Sequence, residues 1–223
     1  MKTFSLRTWC IRVLLLLFGL TIAHLGVTLF LQAAMGSDPF NVMIQGLFRF
    51  IPWPESIPVT HGWVHMGISF LIIIVLLIVD RSYVRIGTFL CMILGGPIID
   101  GFTLLLQDLI HAQSPIGLRI ASLAVGCIIL SFGMTIAMKS QAGLGPNDLV
   151  GLVISEKAKW KFGIVRIVVD VVFAGSGFLL GGTLGLGTII CAFLVGPTAQ
   201  IFMPICERIC QHFLKEPEKT QIQ

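Results

Sequence analysis

Two short segments of this sequence combine an acid, an amide and a proline. They are Asp38, Pro39 and Asn41 in the first segment and Pro146, Asn147 and Asp148 in the second. A small polar residue before a proline is typical of a helix N-terminus, with the proline in the first turn. Such a terminus presents free N–H groups and a positive dipole end to a ligand. We therefore predict two short helices whose N-termini face a substrate, although the same residues would also suit plain structural caps.

The two segments close a longer repeated stretch of sequence. The first copy runs from Gly19 to Asn41 and the second from Gly126 to Asp148. Without a gap, three glycines, the proline and the acid or amide coincide: Gly19, Gly26, Gly36, Pro39 and Asn41 with Gly126, Gly133, Gly143, Pro146 and Asp148. Later pairs also match, namely Gly87-Thr88 with Gly187-Thr188 and Gly96-Pro97 with Gly196-Pro197. Self-similarity at a constant offset indicates an internally duplicated protein.

The composition excludes a soluble domain. Of 223 residues, 56% are hydrophobic and only 12% are charged, whereas about a quarter of a soluble chain is charged. The modest net charge of +4 reports the orientation of a membrane protein rather than nucleic-acid binding. The composition therefore predicts a polytopic membrane protein.

Six apolar segments have the length of about twenty residues that crosses a bilayer as a helix. They are 11–33, 62–79, 86–106, 118–138, 163–180 and 186–205. Two shorter apolar pieces, 38–51 and 146–155, reach only part of the way across and are predicted to be re-entrant. If they crossed fully instead, there would be eight spans and parallel repeats.

Three crossings in each half place the second half upside down relative to the first, as in many secondary transporters. We thus predict an all-α membrane protein with two inverted-topology repeats, each of three transmembrane helices and one short re-entrant helix. The repeats cover 11–106 and 118–205 of a single membrane domain, 1–223, and 206–223 is predicted to be a polar, frayed cytoplasmic tail. With both termini inside, all Lys and Arg except Arg49 and Arg119 lie at cytoplasmic ends, as expected of inner loops.

Ionisable residues inside the predicted spans are the second group that could bind a solute, because a charge in hydrocarbon is costly. Arg166 and Asp170 are four residues apart and can pair on one helix face. Asp100 aligns with Gln200 of the other half. The alternatives are a functional polar cavity and an ion pair that only holds helices together. The lone His24 is interpreted as an interhelical hydrogen-bond donor rather than a proton carrier.

Together these motifs resemble the YczE/YyaS/YitT family of bacterial integral membrane proteins, above all its YczE-like branch. The matching elements are Ala33–Asn41, Gly96–Asp100, Arg166–Asp170, Gly185–Thr188 and Gly196–Gln200. The resemblance extends from Arg12 to Phe202. It implies a multi-pass protein of the bacterial cytoplasmic membrane and names no substrate.

No P-loop, HExxH or Cys/His metal pattern occurs, so neither an enzymatic activity nor a cofactor is predicted. The six cysteines are interpreted as small buried hydrophobic residues. The sequence favours a secondary transporter or permease for a small polar solute, with an anion among the candidates. The alternative is a non-transporting scaffold or accessory protein. Expected partners are membrane lipids and the solute, with a homodimer left open and no nucleic acid.

Overall fold

The computed structural model describes residues 6–54, 56, 58–160 and 162–214. All regular secondary structure in these residues is helical, which confirms the predicted all-α class. In chain order the helices are α1 Leu6–Ala33, α2 Pro39–Phe50, α3 His61–Asp80, α4 Ile86–Leu106, α5 Ile116–Lys139, α6 Pro146–Ala158, α7 Phe162–Leu179 and α8 Leu186–Leu214.

Five of the described helices are long and apolar enough to cross a membrane, namely α1, α3, α4, α5 and α8. Helix α7, predicted to be the fifth of six spans, has 18 residues, carries Arg166 and Asp170, and is not among these five helices. Helices α2 and α6 have only 12 and 13 residues. At a rise of about 1.5 Å per residue they are shorter than the hydrocarbon layer, as the sequence predicts.

Helix α8 extends past the expected end of the last span at Ile205 and continues to Leu214. Cys206 and Cys210 are 0% and 2% exposed, one helical turn apart. Their Sγ atoms lie against carbonyls of α5, at 3.9 Å and 4.0 Å. This buried face keeps the segment helical, so the predicted frayed tail is wrong for 206–214. The remainder of that tail, 215–223, lies outside the described residues.

Helices α1 and α5 form the centre of the bundle and cross in opposite directions. Gly19 packs against Gly133 of α5, and Gly26 packs against Gly126. Residue numbers thus increase along α1 as they decrease along α5, so the two helices are antiparallel. A Cβ added at Gly19 would lie 2.6 Å from the carbonyl oxygen of Gly133, so only residues without a side chain permit this approach.

Helices α4 and α8 flank the central pair. Helix α4 runs parallel to α1, and α8 runs parallel to α5. Along α4, Gly87 lies against Leu16 of α1, and the Gln32 amide of α1 donates to the Thr103 carbonyl at 2.9 Å. Along α8, Lys139 of α5 forms an ion pair with Glu207 at 2.8 Å. The central helices and these two flanks form a frame, to which the loops before the short helices are bonded.

Each short helix packs on a long helix of the other half of the chain. Gly46 of α2 lies against the backbone of Gly177 of α7, and Phe40 stacks edge-on against Phe173 with ring centroids 5.4 Å apart. On the other side, α6 packs against α3 in an apolar cluster of Leu76, Leu149 and Val153. The two short helices therefore join the two halves of the molecule. We call the point where the chain turns into each of them, before Pro39 and before Pro146, a helix break.

The loops that lead into the short helices are held by matching backbone bonds. The N–H of Gly187 donates to the Met35 carbonyl at 2.7 Å, and the N–H of Gly87 donates to the Ala142 carbonyl at 3.3 Å. In the first loop Gly36 has a φ of 106° and a Cβ there would lie 2.9 Å from the Gly185 nitrogen. Glycine is required at this position by both conformation and space.

The central crossing can be tested with one added methyl group. In Gly133→Ala the new Cβ would lie 2.6 Å from the Gly19 carbonyl oxygen and 2.8 Å from the Ala23 Cα. Helices α1 and α5 must then separate, at a cost of about 1–3 kcal/mol. We expect the thermal unfolding temperature of the protein in detergent to fall by several degrees.

The matched control is Gly67→Ala on α3, where an added Cβ meets nothing within 4 Å. Since alanine also favours the helical state over glycine by about 1 kcal/mol, this variant should unfold at the wild-type temperature or slightly above it. Equal losses of stability in the two variants would contradict a close crossing at Gly133.

Candidate polar site at the helix breaks

The first break is capped as the sequence predicts. Asp38 is the N-cap of α2, and its Oδ2 accepts from the backbone N–H of Asn41 at 3.2 Å. Its Oδ1 accepts from the Asn41 side-chain amide at 2.8 Å and from the Ser37 hydroxyl at 3.3 Å. Pro39 is the first residue of the helix. Asp38 is therefore fixed by three hydrogen bonds where the chain turns into α2.

The second break is built differently, which corrects the expectation of two equivalent caps. Gly145 is the N-cap of α6 and has no side chain to accept a hydrogen bond, and Pro146 follows it as the first residue. Asp148 lies in the first turn of α6, where its carboxylate accepts from the Asn147 amide at 3.3 Å. With no capping role to fill, the Asp148 carboxylate is free to pair with another helix.

That partner is Arg166 of α7. Its Nη1 lies 2.5 Å from Asp148 Oδ1, and its Nε donates to Asp170 Oδ2 at 3.0 Å. The second contact confirms the predicted pair at four-residue spacing. The three side chains are 31%, 18% and 29% exposed in the order Arg166, Asp148, Asp170. One guanidinium thus serves two carboxylates in a partly buried position.

Asp38 adds a third carboxylate to this group. It interacts electrostatically with both Arg166 and Asp170, although its own hydrogen bonds go to Ser37 and Asn41. The two helix breaks, which are far apart in the sequence, therefore supply acids that interact with the same arginine. We call Asp38, Asp148, Arg166 and Asp170 the carboxylate–arginine cluster.

His61 extends the cluster and was missed by the sequence analysis. Its Nε2 lies 3.0 Å from the Asn41 side-chain oxygen, and since that oxygen only accepts, Nε2 is the donor. His61 is the first residue of α3 and stands four residues before His65. This spacing places both imidazoles on one helix face, and it is the signal in the sequence that could have indicated the role of His61.

Asp100, another predicted site residue, holds the start of α3. One of its oxygens accepts from the Thr60 hydroxyl, and the other accepts from the Gly62 N–H at 3.0 Å. These two residues flank His61, so Asp100 positions His61 rather than lining the cluster itself. Its sequence counterpart Gln200 is exposed on α8 and makes no hydrogen bond among the described residues.

The difference between Asp100 and Gln200 follows from the packing of their helices. Gly96 of α4 lies against the Gly62 carbonyl of α3, whereas a Cβ added at Gly196 of α8 would meet nothing within 4 Å. The close approach of α4 to α3, which brings Asp100 to the start of α3, therefore has no equivalent at Gly196. The matched polar positions predicted from the sequence are not matched in their surroundings.

The family of the chain follows from comparison with known sequences. A model described as a family of unknown function (DUF6198) matches residues 10–204. The chain belongs to this family. Its relatives confirm the YczE/YyaS-like resemblance, and one of them is described as a membrane protein.

Three relatives match over most of their length. An uncharacterized protein YyaS from Bacillus subtilis (strain 168) is 25% identical over 198 residues, covering 89% of this chain and 94% of the relative. The uncharacterized membrane protein YczE of the same strain is 28% identical over 187 residues, covering 83% and 82%. An uncharacterized protein of Haemophilus influenzae (strain ATCC 51907 / DSM 11121 / KW20 / Rd) is 27% identical over 196 residues, covering 87% and 84%. No solved structure matches.

The cluster can be tested through its single cation. Arg166→Gln leaves Asp148 and Asp170 without their shared partner. Breaking a fully buried ion pair costs about 3–5 kcal/mol, and because these side chains are up to a third exposed we expect a smaller loss, of about 2–3 kcal/mol. Chemical or thermal unfolding in detergent would measure it.

A matched control is Lys139→Gln, which removes a more exposed ion pair with Glu207 and should cost no more than about 1 kcal/mol. Adding Asp148→Asn to Arg166→Gln removes one of the orphaned charges and should recover part of the stability. If the Arg166 and Lys139 variants lose the same free energy of unfolding, the cluster stabilises the fold no more than a surface ion pair does, which contradicts its proposed role.

Proposed function

We propose that this protein is a secondary transporter of the bacterial cytoplasmic membrane and that its solute is small, polar and bears a positive charge or an amine. The observation that carries the proposal is the carboxylate–arginine cluster, which lies where both short helices begin. Ionisable groups at membrane depth are costly and mark solute or ion pathways. Binding sites of transporters with internal repeats are formed at interrupted helices in the same way.

The charge of the cluster favours a cationic group over an anion. The cluster has three carboxyl groups and one guanidinium: Asp148 and Asp170 contact Arg166 directly, and Asp38 interacts with it electrostatically. The positive end of α2 is already occupied by Asp38. An anionic solute would meet this acidic excess at close range, whereas an ammonium group would complete its pairing. The anion expected as a candidate from the sequence is thus disfavoured.

We further propose that the two halves are inverted-topology repeats. Three features support this proposal: the opposite directions of α1 and α5, the packing of each short helix on the other half, and the matching bonds at Gly87 and Gly187. The first turn of α2 lies beside α7, where the ring of Phe40 contacts that of Phe173. The last turn of α2 lies beyond the end of α7, where Arg49 donates to the Gly181 carbonyl. A start beside the middle of a longer helix is what a re-entrant helix requires.

An access path would run through a cavity of about 470 Å³ beside α6. The cavity is lined by Gly143 and Leu144, which lead directly into the break before Asp148, and by Arg85 and Gln141. At its rim the Tyr83 hydroxyl donates to Glu156 at 2.5 Å, a hydrogen bond that raises the pKa of Tyr83. With the termini placed in the cytoplasm by the distribution of Lys and Arg, this cavity opens to the cytoplasm.

The equivalent region at the other short helix is bridged by hydrogen bonds. Arg49 of α2 donates to the Gly181 carbonyl and to the Thr183 hydroxyl, both at 2.9 Å. The Gln45 side-chain oxygen accepts from the Thr183 N–H at 2.7 Å. These bonds fasten α2 to the turn between α7 and α8. A cavity on one side and a bridge on the other fit one state of an alternating-access cycle.

The topology can be tested by labelling introduced cysteines in a background that lacks the native ones. Ser56→Cys follows α2 and Lys159→Cys follows α6, and both positions are exposed. Inverted repeats with re-entrant helices place Ser56 outside the cell and Lys159 inside. A membrane-impermeant maleimide should label the Ser56 variant in intact cells and the Lys159 variant only after permeabilisation.

The eight-span alternative places both positions in the cytoplasm. Labelling of the two variants from the same side would therefore exclude the inverted arrangement.

The solute class can be tested by thermal-shift measurements on purified protein with a panel of small amines, amino acids, carboxylates and sulfur compounds. At a hundred times its Kd a ligand stabilises a protein by about 2.7 kcal/mol. We expect the strongest shifts, of several degrees, from compounds with an amine. Asp38→Asn should lose these shifts and keep an ordered melting transition.

The matched control is Asp80→Asn, whose carboxylate pairs with Lys157 at the surface at 3.3 Å, and this variant should keep the wild-type shifts. Stabilisation by anions alone would contradict the proposed solute class. If no compound in the panel stabilises the protein, the result favours the non-transporting scaffold.

A further inference from the structure

A half-buried histidine and a buried one, both outside the cluster, face each other across the helix packing. The rings of His24 on α1 and His65 on α3 lie edge to face, with centroids 5.7 Å apart. Both approach Gly95 of α4. A Cβ added there would lie 3.1 Å from His24 Nε2 and 3.4 Å from His65 Nδ1. The two nitrogens thus converge on one point, which is left open because residue 95 has no side chain.

The tautomer of neutral His24 follows from its hydrogen bond. Nδ1 lies 2.8 Å from the Leu20 carbonyl oxygen, and since a carbonyl only accepts, Nδ1 carries the hydrogen. The lone pair of the neutral ring is then on Nε2, the atom that faces Gly95. His24 therefore offers a base at the convergence point, whereas the sequence analysis interpreted it as a hydrogen-bond donor between helices.

His65 is the less satisfied member of the pair. It is 7% exposed, and its Nδ1 has no hydrogen-bond partner among the residues that the structure describes. The same holds there for the hydroxyl of Ser69, one turn further along α3 and 0% exposed. Buried polar atoms are nearly always paired, so each exception calls for a role. The unpaired nitrogen of His65 beside the lone pair of His24, with the Ser69 hydroxyl one turn away on the same helix, indicates a site for a small polar species.

We propose that His24 and His65 together bind one proton and that this proton drives the transport proposed above, on which the coupling part of the inference rests. The proton comes from hydronium ion of the aqueous phase: the Nε2 lone pair of His24 forms the new N–H bond, the O–H bond of the hydronium breaks, and a neutral water molecule leaves. A second proton is excluded because two imidazolium ions at this distance in an apolar setting would repel each other strongly.

The groups around the pair connect it to the solute site. Among titratable residues, Asp148 of α6 acts electrostatically on His24, and His61 acts on His65. On α4, Asp100 is engaged by Thr60 and Gly62. Helix α2 contributes Phe40, whose ring does not titrate and lies 5.4 Å from that of His65, centroid to centroid.

These electrostatic interactions give the coupling its direction. A proton on His24 places a positive charge near Asp148, and this charge competes with a cationic solute for the same carboxylate. Phe40 directly follows Pro39 at the start of α2 and touches both His65 and Phe173. Protonation of the pair can therefore displace the first turn of α2 as well. Proton and solute bind in alternation, which makes the protein an exchanger of one for the other.

The experiment is a pH titration of ¹⁵N-histidine-labelled full-length protein in lipid nanodiscs, followed by NMR, with the proton as the only ligand. At pH 8 we expect His24 to show hydrogen on Nδ1 and a lone pair on Nε2. Between pH 8 and pH 5 the pair should take up one proton in total. In His65→Gln the midpoint of the His24 titration should shift by about one pH unit or more.

The control is His111→Gln in the loop after α4, which should leave the titration of the pair unchanged. Independent ionisation of both histidines, or no proton uptake down to pH 5, would overturn the proton site. The wild-type tautomer and proton count remain decisive if the His65 variant does not fold. Because the titration uses no solute, it can succeed where the thermal-shift panel fails. A positive panel with no proton uptake would refute the proton site and its coupling and leave the proposed transport standing.

Discussion

The structure depends on one shared ionic contact, in which the guanidinium of Arg166 is bound by Asp148 and by Asp170. Each carboxylate comes from a different helix, and Asp38 adds a third from the opposite half of the chain. Charges in an apolar medium must be compensated locally. The starts of α2 and α6 are therefore held near α7, and the geometry of the breaks is inseparable from the pairing of these four side chains.

Close glycine contacts between helices allow the starts of α2 and α6 to lie near α7. The central crossing at Gly19 and Gly133, and the contact of Gly46 with Gly177, bring backbones closer than any side chain would allow. Without a hydrophobic driving force between helices in lipid, such close packing supplies much of the association energy. The same absence of side chains at Gly95 leaves the space toward which His24 and His65 turn.

Much of this arrangement could be predicted from the sequence, because it depends on local chemistry. Asp38 before Pro39 is a helix start whatever surrounds it, and the spacing of Arg166 and Asp170 forces a shared helix face. Contacts between distant elements could not be predicted. The repeat suggested that Asp148 caps its helix, yet Gly145 leaves its carboxylate to bind Arg166 instead.

The limits of repeat reasoning are clearest at Asp100 and Gln200. Their positions match in the sequence, but the packing of their helices does not, so one anchors α3 and the other is exposed. The role of His61, in turn, emerged only from the fold that carries it to Asn41.

The most direct test of the central claim is an experimentally determined structure of the protein in a lipid nanodisc, with a bound antibody fragment to aid alignment. The account predicts Arg166 within hydrogen-bonding distance of both Asp148 and Asp170, at the depth of the hydrocarbon layer and beside Asp38. Arg166 extended to the lipid headgroups, with Asp148 and Asp38 on separate surfaces of the protein, would contradict it.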